Sequence, residues 1–323
     1  MSTFGKDSTT DEVLAGKDMA GQTVFITGAN SGLGQETARA MAACGAHIIM
    51  AGRDQAKLDK AAAAIRAEHP DAALETITCD LGNLASIRAC GDEARARLTK
   101  IDLLINNAGV MACPLLRTAD GFELQFGTNH LGHFALTAEL LPLIEEGAHK
   151  RIVNLSSRGH HFAPVDLDDP NFTERAYDPW ISYGNSKTAN ILFTVGLEAR
   201  LAARGIHAYA VHPGGIQTNL GRHMTEEMIA TLMARVTTKD TGFAWKTIPQ
   251  GAATSCWAAT APELDGTGGV YCEDCHVAAV DDESATGGVR SYAIDPATAE
   301  RLWTLSEQLT GAQYPAYTSA LRC

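Results

Sequence analysis

A tyrosine and a lysine, Tyr183 and Lys187, stand four residues apart in a segment whose pattern predicts a helix. Side chains at positions i and i+4 of a helix lie on one face about one turn apart, so both are expected to point into one cleft. A phenol has an ordinary pKa of about 10, and an adjacent cation favours its charged form. The pair is therefore a candidate for proton transfer near neutral pH, although the same spacing also occurs in helices without a catalytic role.

Two more polar groups are candidates for the same site. Ser157 follows the predicted strand at residues 151–155, where a hydroxyl can donate a hydrogen bond to a substrate carbonyl oxygen. Asn129 interrupts the apolar pattern of a long predicted helix at residues 122–144, and asparagine or glycine inside a helix carries a cost. We expect this interruption to face the cleft and to hold a water that passes protons to Lys187. The histidines beside Asn129 are interpreted as core or capping residues in preference to catalytic bases.

A glycine-rich turn lies between the first predicted strand and the helix that follows it. Residues 27–34 read Thr-Gly-Ala-Asn-Ser-Gly-Leu-Gly, directly after an apolar run at residues 24–26. Glycines allow the backbone to approach a diphosphate closely, and the free N–H groups of the following helix point at the anion. The turn therefore predicts a dinucleotide site, and a tight turn without a ligand is the alternative. The residues expected to bind the dinucleotide there are Gly28, Asn30, Ser31, Gly32, Leu33 and Gly34.

The end of the second predicted strand bears on the choice of dinucleotide. An acidic residue there would bind the adenosine ribose hydroxyls of NAD, whereas an arginine would bind the 2′-phosphate of NADP. Gly52 stands where the acid is expected and Arg53 follows it, so the sequence favours NADP(H) over NAD(H). Asp54 leaves the alternative open, because a shift of two residues in the alignment would reverse the prediction.

Strand and helix patterns alternate along most of the chain. The alternation predicts one α/β domain with a Rossmann-type, doubly wound parallel sheet of about seven strands, in the order 3-2-1-4-5-6-7, with helices on both faces. In such a sheet the ligand crevice lies beyond the carboxyl ends of the strands. Asp80 at one of these ends is either an acceptor for the adenine amino group or the cap of the next helix. Cofactor contacts are expected at the strand ends from Asp80, Leu81, Asn107, Ala108, Gly109, Pro213, Gly214, Ile216 and Thr218.

The chain divides into three parts on this interpretation. Residues 1–20 are expected to be a flexible N-terminal extension, residues 21–290 the dinucleotide-binding domain, and residues 291–323 a C-terminal helix and tail. The strict alternation lapses at residues 219–250, which we expect to cover the substrate. Met111, Leu115 and Phe162 are further candidates for lining an apolar substrate pocket.

Composition argues against several classes of function. The formal net charge is −12 without a compensating Lys/Arg cluster, so no nucleic-acid partner is expected. No run approaches the ~20 apolar residues that span a bilayer, and the polar N-terminus does not fit a signal peptide, so a cytoplasmic protein is expected. The eight cysteines are scattered, and the run from Cys272 to His276 lacks the further ligands that a metal site would need, so no metal is expected. The sequence does not decide between a monomer and a homo-oligomer.

Taken together, these motifs resemble those of the classical short-chain dehydrogenase/reductase family over residues 20–280. Residues 128–134 and the strand end at Arg53 are similar to those of the retinol-dehydrogenase-like branch, which mostly uses NADP. The resemblance implies a catalytic tetrad of Asn129, Ser157, Tyr183 and Lys187. The other matching motifs are the glycine turn, the Asn-Asn-Ala-Gly run at residues 106–109 and the Pro-Gly pair at residues 213–214.

The resemblance also implies an activity: an NADP(H)-dependent oxidoreductase that interconverts an apolar alcohol and its aldehyde or ketone. Tyr183 would exchange the substrate proton, and Ser157 would polarise the substrate oxygen. Lys187 would lower the pKa of the phenol and bind the nicotinamide ribose. Two alternatives are a dehydrogenase of the same fold that prefers NAD(H), and a regulator that binds NADP without catalysis.

Overall fold

The computed structural model describes residues 3–217, 219–221, 224 and 244–314. Its strands are β1 (Thr23–Thr27), β2 (His47–Gly52), β3 (Leu74–Thr78), β4 (Leu103–Asn106), β5 (Arg151–Leu155), β6 (His207–His212), β7 (Val270–Glu273) and β8 (His276–Val277). Within the described residues they form one sheet in the order β3-β2-β1-β4-β5-β6-β7-β8, parallel except for the β7–β8 pair. The predicted strand order is confirmed, and the short antiparallel β8 extends the sheet beyond the seven predicted strands.

Helices cover both faces of the sheet. They are α1 (Thr10–Leu14), α2 (Gly32–Ala43), α3 (Gln55–Glu68), α4 (Leu84–Arg97), α5 (Leu124–Phe126), α6 (Gly132–Glu145), α7 (Pro179–Leu201), α8 (Ile248–Thr260) and α9 (Pro296–Thr310). Side chains of β1 alternate between the two layers, with Val24 and Ile26 in one core and Phe25 in the other. All three are fully buried. Burial on both faces explains why this central strand is a continuous apolar run.

A π-helical segment, Gly127–Leu131, joins α5 to α6. The sequence predicted one long helix here with a polar interruption, and the interruption is this segment. A π turn adds a residue to the helix and is frequent at functional sites. Asn129 lies within it, fully buried, and its side chain accepts a hydrogen bond from the loop after β4.

The N-terminal residues that the structure describes pack on the domain, whereas the sequence led us to expect a flexible extension. A capping box starts α1: the Thr9 hydroxyl accepts from the Glu12 N–H, and the Glu12 carboxylate accepts from the Thr9 N–H. Val13 and Leu14 are buried in the same core layer as side chains of α2 and α8. Burial of these apolar side chains stabilises the docked segment.

The long helix α7 carries the candidate tyrosine and lysine. Asp178 caps its N-terminus by accepting hydrogen bonds from the backbone N–H groups of Trp180 and Ile181, and Pro179 is its first residue. The cap fixes where the helix begins and hence which way its side chains face. In the described part of the chain, neither α7 nor any other helix is both long and apolar enough to cross a membrane.

Candidate active site

A cavity of about 1560 Å³ opens at the carboxyl ends of the parallel strands. The predicted site residues that line it are Gly28, Asn30, Ser31, Gly32, Leu33, Arg53, Asp80, Leu81, Asn107, Ala108, Gly109, Ser157, Tyr183, Lys187, Pro213, Gly214 and Ile216. Gly34 and Asn129 do not line it and lie behind its wall. Thr218 lies outside the described residues. The structure therefore brings residues from both halves of the chain to one site.

Tyr183 and Lys187 both line the cavity from α7, as their spacing predicted. The Lys187 Nζ lies 5.7 Å from the centre of the Tyr183 ring and donates a hydrogen bond to the Leu155 carbonyl at 3.0 Å. The Ser156 hydroxyl donates to the Lys187 carbonyl at 2.9 Å. These bonds tie α7 to the end of β5 and hold the ammonium beside the phenol.

Burial dominates the electrostatics of this pair. It raises the pKa of Tyr183 to about 12, although a hydrogen bond with Ser157 opposes the rise. It lowers the pKa of Lys187 to about 7. Both shifts follow because a buried site disfavours the charged form of a group. The expectation that Lys187 acidifies the phenol is therefore wrong for this arrangement, in which Tyr183 keeps its proton at neutral pH.

Ser157 and Gly159 shape the space around the phenol. Ser157 follows β5 and begins a 3-10 turn, where its Oγ accepts a hydrogen bond from the Gly159 N–H at 3.0 Å. A methyl group on Gly159 would lie 2.6 Å from Cε1 of Tyr183, so a larger residue there would displace the ring. The sequence analysis missed Gly159. Its place two residues after the candidate serine was the available signal.

The amide of Asn129 is engaged by protein groups. Its Oδ1 accepts from the Val110 N–H at 2.8 Å, and its Nδ2 donates to the Val110 carbonyl and to the Ser186 hydroxyl, both at 2.9 Å. Asn129 thus joins the loop after β4 to α7, one residue before Lys187. This geometry gives it a positioning role, and the hypothesis that it holds a relay water stays a prediction.

Thr27 and His133 form a second buried connection below the cavity. The Thr27 Oγ1 accepts hydrogen bonds from the N–H groups of Asn107 and Ala108, at 2.9 and 3.0 Å. Burial lowers the pKa of His133 to about 4, so the ring is neutral. Its Nδ1 lies 2.9 Å from the Asn129 carbonyl, which can only accept, so Nδ1 carries the proton. Its Nε2 lies 2.9 Å from Thr27 Oγ1 and therefore accepts a hydrogen bond from the threonine hydroxyl.

This connection assigns His133 a structural role, in agreement with the preferred interpretation of the sequence. The function of Thr27 in holding the loop after β4 was missed. Thr27 and His133 are 106 residues apart in the chain, so no local pattern joins them.

The glycine turn fits closely beneath the loop after β4. Gly28 has a φ of +67°, and a methyl group on it would lie 2.9 Å from Ala108 Cα. A methyl group on Gly34 would collide with Asn107 Nδ2, which donates to the Thr27 carbonyl at 2.8 Å. Ser31, the N-cap of α2, makes no side-chain capping hydrogen bond. The first N–H groups of α2 are therefore available, and this cradle fits the diphosphate of a dinucleotide.

Arg53 lies exposed on the cavity wall just past β2, and it makes no ion pair with any residue that the structure describes. Gly52, the last residue of β2, pairs with Thr78 of β3. Asp54 is the N-cap of α3: its carboxylate accepts from the Lys57 N–H at 3.1 Å and pairs with the Lys57 Nζ at 3.0 Å. The Asp54 carboxylate is thus engaged in capping α3, while the Arg53 guanidinium is available to a ligand in the cavity.

The turn after β3 corrects one of the two roles considered for Asp80. The N-cap of α4 is Asn83, whose side chain accepts from the N–H groups of Ala85 and Ser86. Asp80 instead accepts from the Gly82 N–H at 3.0 Å and shapes the turn. Its second carboxylate oxygen makes no hydrogen bond within the described residues, which leaves it available to a ligand at the cavity wall.

The substrate end of the cavity combines apolar and charged groups. Met111 and Phe162 line it as expected, whereas Leu115 does not and its neighbour Leu116 does. Of the segment predicted to cover the substrate, only residues 219–221, 224 and 244–250 are described. Further apolar residues that line the cavity include Trp180, Leu220, Met224 and Trp245. Its charged lining residues include Arg158, Lys246, Glu273 and Asp274.

With a dinucleotide cradle, a tyrosine and a lysine in one crevice of a doubly wound sheet, the site is that of a nicotinamide-dependent oxidoreductase. The chain belongs to the short chain dehydrogenase family, whose model matches residues 22–229. This family uses NAD(H) or NADP(H), and the predicted membership is confirmed.

Within the family the chain is similar to retinol dehydrogenases. Human retinol dehydrogenase 14 is 40% identical over 309 residues, with 91% of this chain and 87% of the relative covered. Mouse retinol dehydrogenase 12 is 41% identical, with 91% and 88% covered. The crystal structure of an uncharacterized protein from Mycobacterium paratuberculosis is 37% identical with a TM-score of 0.73, covering 94% of this chain and 98% of that one. A gluconate 5-dehydrogenase from Burkholderia cenocepacia, solved with NADP and tartrate, is 26% identical with a TM-score of 0.62, covering 79% and 94%.

Proposed function

We propose that the protein is an NADP(H)-dependent alcohol dehydrogenase or carbonyl reductase acting on a small, largely apolar substrate. The observation that carries the proposal is the placement of Tyr183, Lys187 and Ser157 in the same cavity as the glycine turn. A proton donor beside a dinucleotide cradle supplies both parts of a carbonyl reduction. The bound dinucleotide would supply the hydride.

The residues of the chain divide the remaining work. Ser157 donates a hydrogen bond to the substrate oxygen, which stabilises negative charge as it develops there. Tyr183, protonated at neutral pH because burial raises its pKa to about 12, gives that oxygen its proton. In the oxidative direction Tyr183 takes the proton back. Lys187 provides a nearby group that can carry charge, and Asn129 positions α7 through its hydrogen bond to the hydroxyl of Ser186, the residue before Lys187.

The preference for NADP(H) is supported by the strand end after β2. Arg53 is available on the cavity wall, and Asp54 is engaged in capping α3. A guanidinium suits a phosphate because it donates two parallel hydrogen bonds to it. The gluconate 5-dehydrogenase that shares the fold was solved with NADP.

Replacing the guanidinium tests this preference. Arg53→Ala is expected to weaken NADPH binding about tenfold or more, because a charged hydrogen bond contributes about 1.5–3 kcal/mol, and to leave NADH binding nearly unchanged. Dissociation constants from the fluorescence of the reduced nicotinamide measure both. Arg88→Ala is the matched control, since Arg88 is exposed and outside the cavity. Equal losses for the two dinucleotides would refute the phosphate role.

The activity itself is tested by a panel of aliphatic, aromatic and isoprenoid alcohols, aldehydes and ketones with both cofactors. The apolar lining by Phe162, Trp180 and Trp245 leads us to expect turnover within this panel. Absorbance of the reduced nicotinamide reports it. Tight NADPH binding without turnover of any compound would instead favour a non-catalytic regulator.

A further inference from the structure

The N-terminal segment reaches the cofactor cavity. Lys6 and Asp7 line it, although they precede the first strand. The Asp7 carbonyl accepts a hydrogen bond from Gln250 Nε2, in the first turn of α8, at 3.2 Å. The next residue of α8, Gly251, packs so closely that a methyl group on it would lie 2.6 Å from Ile216 Cγ1 and 2.9 Å from Leu33 Cδ2. Since Leu33 is in the first turn of α2, these contacts connect the segment of Lys6, through α8, to the helix that starts at the glycine turn.

Contacts on both sides fix this segment. Before Lys6, Phe4 packs against the core layer that contains α2 and α8. After it, the Thr10 hydroxyl donates to the Glu36 carboxylate, and Asp11 pairs with Arg39 at 2.7 Å. Glu36 and Arg39 both belong to α2. The backbone of residue 6 is therefore held on the surface of the helix that starts at the glycine turn.

The side chain of Lys6 is exposed. It makes no ion pair or hydrogen bond with the residues that the structure describes. The nearby carboxylates of Asp11 and Glu36 are engaged by Arg39. By contrast, the cavity-lining Lys246 is paired with an aspartate. An exposed ammonium at the cavity rim, with no partner among the described residues, can be directed at an anion in the cavity.

We propose that Lys6, at the rim of this cavity, binds the diphosphate of the dinucleotide. The inference rests on the proposed function, because it requires that a dinucleotide binds in this cavity. The proposal gives the N-terminal segment, which precedes the first strand, a role in cofactor binding that is separate from the sequence motifs at the strand ends. Because the ammonium is exposed and the Asp7 carboxylate is adjacent, the contribution is expected to be moderate.

Binding of both reduced dinucleotides to a charge-neutral variant tests the proposal. Lys6→Gln is expected to weaken the binding of NADPH and of NADH by the same factor, about three- to tenfold at low salt, because both ligands contain the diphosphate. The loss should shrink at high salt, where exposed charges are screened. Lys6→Arg should retain nearly the affinity of the unmodified protein. Lys60→Gln is the control, since Lys60 is exposed and outside the cavity.

The outcomes separate this inference from the proposed function. Unmodified protein that binds neither dinucleotide would overturn both. Unmodified protein that binds NADPH, with an unchanged affinity in Lys6→Gln, would overturn only the role of Lys6. A loss confined to NADPH would also overturn the assignment, since it would place the ammonium at the 2′-phosphate.

Discussion

The ammonium of Lys187 lies in surroundings that disfavour its charge. Among the described residues, its Nζ donates a hydrogen bond to the Leu155 carbonyl alone, and burial lowers the pKa of Lys187 to about 7. In the folded protein Lys187 therefore gains or loses its charge close to neutral pH, beside the phenol of Tyr183. A lysine with its ordinary pKa of about 10.4 would stay charged throughout this range.

This shift predicts a pH-dependent effect of Lys187→Met on stability. Below pH 7 the folded protein holds a buried ammonium, whereas between about 7 and 10.5 the unfolded chain binds a proton that the folded chain has lost. The contribution of Lys187 to the free energy of unfolding therefore becomes more favourable to the folded state as the pH rises from about 7 to 10.5. We expect the melting temperature of Lys187→Met relative to the unmodified protein to be highest at pH 6 and to fall towards pH 9.

Melting temperatures of the protein alone at the two pH values make the comparison, and the exposed Lys60→Met is the control. Titrating groups whose pKa does not depend on Lys187 are common to both proteins and cancel in the difference. A difference that does not change with pH would contradict the shifted pKa.

At the scale of elements, the cofactor cradle depends on the contact between the glycine turn and the loop after β4. Asn107 donates to the Thr27 carbonyl, and the Thr27 hydroxyl accepts from two N–H groups of that loop. The π segment joins the same loop to α7 through Asn129. One chain of hydrogen bonds thus connects the dinucleotide cradle to the helix of the candidate catalytic residues.

Gly34→Ala is expected to break this contact, because the added methyl group would collide with Asn107 Nδ2. Overpacking of this kind costs about 1–3 kcal/mol, and we expect a loss of stability of that size together with weaker NADPH binding. Urea denaturation and NADPH fluorescence measure the two effects. Gly5→Ala is the matched control, since a methyl group there meets nothing within 4 Å. Unchanged NADPH binding in Gly34→Ala would show that the contact does not support the cradle.

Local patterns predicted the parts of the site that local sequence encodes. The strand-turn-helix at residues 24–43 and the i, i+4 pair on α7 each lie within one segment, so apolar runs, glycines and spacing were sufficient. The partners of Asn129 and Thr27 could not be predicted, because they come from segments distant in the chain. The shift in the pKa of Tyr183 was predicted in the wrong direction. The four-residue spacing shows that Lys187 lies near the phenol, but it does not show how deeply the phenol is buried.

For the whole molecule, the N-terminal helix is the main departure from the sequence-based division into parts. The polar composition of residues 1–20 suggested a flexible extension, but a few apolar side chains are enough to dock α1. Val13 and Leu14 are each 2% exposed. The polar residues around them are used in the capping box and in contacts with α2. The overall composition of residues 1–20 combines the few buried apolar residues with the many polar ones, so it does not reveal that α1 docks on the domain.

Val13→Ala is therefore expected to destabilise the whole protein by about 1–3 kcal/mol, as for other buried aliphatic truncations. Urea denaturation measures the free energy of unfolding. Val280→Ala removes the same atoms from a residue that is 55% exposed and should have almost no effect. Equal, negligible effects of both substitutions would mean that α1 does not contribute to the stability of the fold.

The central claim is that the buried phenol of Tyr183 transfers the proton while a dinucleotide bound in the same cavity transfers the hydride. Tyr183→Phe keeps the ring against Gly159 and removes only the hydroxyl. With a substrate identified in the carbonyl panel, we predict that kcat falls by at least about a hundredfold, the contribution of a positioned general acid, while the Kd for NADPH stays nearly unchanged. Activity within about tenfold of the unmodified protein, which corresponds to only about 1.4 kcal/mol, would contradict the account.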